Sequence, residues 1–122
     1  MEHQTQKSQD CIASDRVEGT SVYGSDGNKI GSVDCIMIEK RSGQAREAIL
    51  DVGGFLGMGG SRHAVPWQML QYDVDKGGYL LDVTEDQLKN APRSQENDRD
   101  TTLSDQNHRA QVYEFYAMPA YW

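Results

Sequence analysis

Several features that would place this chain quickly are missing. Its longest apolar run is a few residues, far short of the roughly 20 that a membrane helix needs. Met1 to Asp10 is polar with no hydrophobic stretch, so neither a secretory signal nor a membrane span is expected, and the expected location is the cytoplasm. Cys11 and Cys35 have neither CxxC spacing nor the density of a disulfide scaffold, and are read as two unrelated thiols. His3, His63 and His108 lack a second His or Cys at ligand spacing, so no metal site is expected. Basic charge is scarce as well. Twelve Lys and Arg face 19 Asp and Glu, for a net charge of -7, and no basic stripe exists to hold a nucleic acid.

Apolar residues are few and unevenly placed. Leu, Ile, Val and Phe number 22 of 122, and 18 of those lie between residues 17 and 91. The sequence therefore divides into a polar leader (1–16), one compact domain (17–92), a polar linker (93–107) and an aromatic C-terminal segment (108–122). A domain this small buries about 60% of the surface its unfolded chain exposes, and commonly gains from self-association.

Within the domain, short apolar runs alternate with turns. Val17 to Tyr23, Lys29 to Glu39, Ala45 to Val52, Arg62 to Val65 and Tyr79 to Val83 read as strands, with Trp67 to Tyr72 as a turn-like passage. Asp26-Gly27, Ser42-Gly43 and Lys76-Gly77 supply the turns. In the third run Ala48, Leu50 and Val52 point one way, and Glu47, Ile49 and Asp51 the other. Thr84 and Gln87 form a capping-box pattern for a short helix that Pro92 stops. The expected fold is all-β: a small antiparallel barrel of five to six strands with a short C-terminal helix and polar tails.

Motifs of chemistry fail on their details. Gly53 to Gly60 has five glycines but matches no phosphate-binding spacing, and it leads into a strand where those motifs need a helix. Asp73-x-Asp75-x-Gly77 imitates a calcium loop, yet position 12 is Thr84, and both flanks are strands. No Ser sits in a nucleophile elbow, and Cys35 has no activating neighbour in sequence. No catalytic residue, cofactor or metal is assigned, and the chain is not expected to be an enzyme.

Five separated pieces resemble one family. Asp26-Gly27-Asn28-Lys29-Ile30-Gly31-Ser32-Val33, Ser42-Gly43-Gln44, Val52-Gly53-Gly54-Phe55-Leu56-Gly57, Val65-Pro66-Trp67 and Leu88-Lys89-Asn90-Ala91-Pro92 resemble, in order and spacing, the PRC-barrel domain. That family is named for the cytoplasmic barrel of the photosynthetic reaction centre H subunit, and a related barrel ends a ribosome-maturation factor. Neither the H subunit's membrane helix nor the factor's N-terminal RNA-processing domain is expected in this chain. The resemblance implies a stand-alone bacterial barrel that acts as a non-catalytic adaptor.

Surplus apolar surface supports protein–protein interaction, including homodimer formation. The second strand is apolar on both faces, Ile36 and Ile38 on one and Val33, Cys35 and Met37 on the other, and a bulge at Gly31 or Asp34 is the alternative that internalises part of it. Interaction candidates are Met37, Ile49, Gly53, Gly54, Phe55, Leu56, Gly57, Met58, Trp67, Phe115, Tyr116, Tyr121 and Trp122. Val112, Phe115 and Tyr116 stand at i, i+3 and i+4, which predicts one or two helical turns over 108–116. Such a segment docks on its own barrel or on a second copy, or else frays. Two other readings stand beside the adaptor: peripheral association with a photosynthetic or other membrane-protein complex, and a ribosome-assembly-type role. A ligand-binding barrel is weakest, because so small a barrel fills its interior with side chains.

Overall fold

Turn chemistry sets the strand borders. The Asp26 carboxylate accepts the Asn28 N–H at 3.1 Å, and that of Asp73 accepts the N–H groups of Asp75 at 2.8 Å and Lys76 at 3.2 Å. The calcium-like loop is thus a hairpin whose first carboxylate is occupied by its own backbone. A computed structural model describes residues 11–53, 60–94 and 106–120. In chain order they form α1 (Ser14–Val17), β1 (Ser21–Tyr23), β2 (Lys29–Ile38), β3 (Ala45–Val52), β4 (Ser61–Pro66), a 3-10 turn (Trp67–Met69), β5 (Leu70–Asp73), β6 (Gly78–Leu81), α2 (Glu85–Lys89), β7 (Arg93–Ser94) and α3 (Gln106–Phe115).

All seven strands join one sheet in the order β5-β6-β1-β2-β3-β4-β7. Neighbours are antiparallel except β1 and β6, which run parallel with Val22 beside Tyr79. The sheet curls around a core that includes Val22, Ile30, Val33, Leu50, Leu81 and Leu88. The all-β small-barrel architecture is therefore present, and its parallel seam is the feature that hairpin signals do not reveal. Gly31 lets β2 and β3 approach closely, because a Cβ there would collide with the Asp51 backbone oxygen. Thr84 and Gln87 cap α2 reciprocally, at 2.8 Å and 3.1 Å.

Three elements differ from the sequence reading. Val17 enters the core from the helical turn α1, since Gly19 has φ +85 and breaks the extended path before Ser21. Leu70 to Asp73 is a strand, held by its pairing with β6, where four residues were too few to show alternation. Arg93 and Ser94, at the start of the expected linker, pair with His63 and Arg62 of β4.

Candidate interaction surface

The outer face of β2, β3 and β4 is built by a bulge. Between Val33 and Cys35 the register against β3 slips, and Asp34 is the extra residue. In a regular strand Val33 and Cys35 would share a face. Here Val33 points into the core while Cys35 joins a second cluster on the outside with Ile49 and Ala64. Two cross-strand rows result: Cys35, Ile49 and Ala64, then Met37, Glu47 and Pro66. Beyond the first row Arg62 reaches Asp51 at 3.1 Å and Asp34 at 3.7 Å, so that end of the face is polar.

α3 lies over this face. Val112 and Tyr113 complete the outer cluster, with Met37, Tyr116 and Met118 packed at its margin. The Tyr113 hydroxyl donates to Glu47 Oε2 at 2.7 Å and approaches the Arg46 carbonyl at 3.2 Å. Arg109 Nε stands 3.5 Å from the other Glu47 oxygen. Glu47, 2% exposed, is a buried carboxylate held between a phenol and a guanidinium of one helix. Burial first, and then this bond to Glu47, push the Tyr113 phenol above its ordinary pKa. Burial alone does the same to Tyr116.

The helix ends by reversing direction. Ala117 has φ +56, its N–H bonds to Glu114 O at 3.1 Å, and Met118 N–H bonds to Tyr113 O at 2.9 Å. This Schellman arrangement folds Met118 back onto the cluster.

The helix face in use is Arg109, Val112, Tyr113 and Tyr116, spaced i, i+3, i+4 and i+7. Of the three residues whose spacing predicts the helix, Val112 and Tyr116 face the sheet, whereas Phe115 is 43% exposed. The apolar pattern of the sequence omits Arg109, so its stripe is rotated toward Phe115. Glu47 gives no signal either, because in sequence it is an ordinary outward carboxylate on an alternating strand. Its burial comes from a helix far along the chain.

The other candidates scatter. Ile49 is fully buried beneath α3, so its contact lies within the chain, and Met37 is half-buried beside it. Trp67 packs against the inner core edge-on to Tyr79, with ring centres 5.5 Å apart. Gly53 has φ +75 and ends β3. Gly54, Phe55, Leu56, Gly57, Met58, Tyr121 and Trp122 lie outside the described residues. Among the described residues no group of three or more His, Cys, Asp or Glu is arranged to hold a metal ion. His63 is fully buried, with Nε2 2.8 Å from Ser61 Oγ and Nδ1 3.2 Å from the Pro92 carbonyl. That carbonyl can only accept, so Nδ1 carries the proton and Nε2 accepts from Ser61. Burial holds the imidazole's pKa below its ordinary value.

The fold and this face define a class: a small curled β-barrel with a helix laid on its outside. The PRC-barrel domain matches residues 10–88, and the chain belongs to the PRC-barrel family. A solved structure described as a putative 16S ribosomal RNA processing protein RimM from Pseudomonas aeruginosa is similar at 16% identity and a TM-score of 0.42. The match covers 62% of this chain and 45% of that one, so it spans under half of that protein. No curated protein matches the chain. Among the described residues no helix is long and apolar enough to cross a membrane.

Proposed function

We propose that the chain is a non-catalytic protein–protein interaction module of the cytoplasm, and that a second copy of itself is among its partners. The observation that carries this reading is a sheet apolar on both faces. The inner face closes on its own core, whereas the outer face relies on α3. That cover leaves large apolar groups at its margin. Met37 and Met118 are only partly buried there, and Phe115 is exposed with its ring 5.0 Å from that of Tyr116. Apolar groups at the rim of a covered face suit a protein contact. Neither Cys11 nor Cys35 is in a disulfide, in keeping with a reducing compartment.

Molecular mass over a dilution series tests the reading. The mass is expected to rise from 13.7 kDa toward twice that value with concentration. Phe115→Asp is expected to move the midpoint to a concentration at least about tenfold higher, as loss of an aromatic anchor does. A mass fixed at 13.7 kDa throughout overturns self-association.

A further inference from the structure

Among the described residues α3 draws no support from charges in its own end turns. Its first turn has no acidic residue and its last turn no basic one, and an isolated helix of this length is marginal in water. What holds it is the stripe Arg109, Val112, Tyr113 and Tyr116 against the sheet. The face in turn has a requirement of its own. Glu47 becomes a buried carboxylate once any helix covers it, and an occupant without donors at the right places would leave its oxygens unsatisfied. An arginine and a tyrosine four residues apart meet that requirement, because i and i+4 lie on one side of a helix.

We infer that the outer face of β2, β3 and β4 is a helix receptor that accepts α3 of a second copy in place of its own, with Glu47 selecting the incoming helix through Arg109 and Tyr113. This rests on the self-association proposed above and names its mechanism. The second copy is the occupant because its α3 meets the receptor's requirement by identity: every contact made within one chain is remade between two. Residues 95–105 connect β7 to α3, and eleven residues can span up to about 38 Å, more than the diameter of a small domain, so the connection does not forbid exchange. Exchange is also reciprocal. Each Glu47 lost by one helix is met by the other, and no buried charge stays unmatched.

The test uses the full chain labelled at the exposed Cys11, Cys35 being buried. Donor-labelled and acceptor-labelled populations are mixed, and energy transfer is read while an unlabelled peptide of residues 106–120 is added. Transfer is expected on mixing, and the peptide is expected to abolish it. A peptide carrying Tyr113→Phe should need at least about tenfold more to do so, the cost of an unmet buried acceptor. In Glu47→Leu the two peptides should compete within about threefold of each other, since the acceptor is gone. The wild-type arm stands even if that variant fails to fold. Transfer that persists unchanged in about a hundredfold peptide excess overturns exchange while leaving self-association intact. Equal competition by the two peptides on the wild-type chain overturns the selecting role of Glu47. No transfer at any concentration removes self-association, and exchange with it.

Discussion

His63 shows how a residue that looks like chemistry can be architecture. It pairs with Leu50 across β3 and β4, and its ring bridges Ser61 to the Pro92 carbonyl, tying the end of the barrel to the segment after α2. Burial disfavours its protonated form in the folded chain. Below its ordinary value of 6.5 the unfolded chain gains a proton that the folded chain resists. The stabilisation is therefore complete above that pH and is lost as pH falls from there toward the depressed folded value, by up to about 1.4 kcal/mol per unit. Urea midpoints at pH 7.5 and pH 5 should differ more for the wild type than for His63→Gln, which keeps a donor and an acceptor without the titration. Parallel losses in the two proteins would mean that His63 does not set the acid limit.

At the scale of elements, α3 and the face beneath it act as one unit. Tyr113→Phe removes the short bond to Glu47 while keeping the ring, so the helix should open more often. Cys35 reports that opening because it lies under the helix while Cys11 is already exposed. The slow phase of thiol labelling should quicken by roughly tenfold in Tyr113→Phe, corresponding to about 1.4 kcal/mol for an unmet buried acceptor. An unchanged slow phase would show that apolar packing alone holds α3. Much of this scale is legible in the sequence wherever the cause is local. Ala45 to Val52 alternates and is a strand over those same residues, Thr84 and Gln87 announce their cap, and Asp34 is one of two bulge positions expected in β2. What stays hidden depends on distant contacts. Glu47 is buried by a helix more than sixty residues away, Arg109 looks like solvated surface until its partner is known, and β5 is a strand only because β6 lies beside it.

For the whole molecule, the sheet has hairpin-linked neighbours on one side and a long-range junction on the other. β2, β3 and β4 pair in sequence order, as do β5 and β6, whereas β1 must find β6 across nearly the whole domain. Joining ends that far apart costs chain entropy before any contact repays it, so the parallel seam between Val22 and Tyr79 should form late, after the folding barrier. Val22 is fully buried there, and Val22→Ala should destabilise by about 2 kcal/mol. If the seam is late, nearly all of that loss appears as unfolding about thirtyfold faster in stopped-flow experiments, with the refolding rate almost unchanged. Slower refolding by a comparable factor would place the seam inside the nucleus. A late seam also means that the lifetime of the folded barrel is governed by its parallel junction, so substitutions that strengthen Val22 and Tyr79 would prolong that lifetime without hastening its formation.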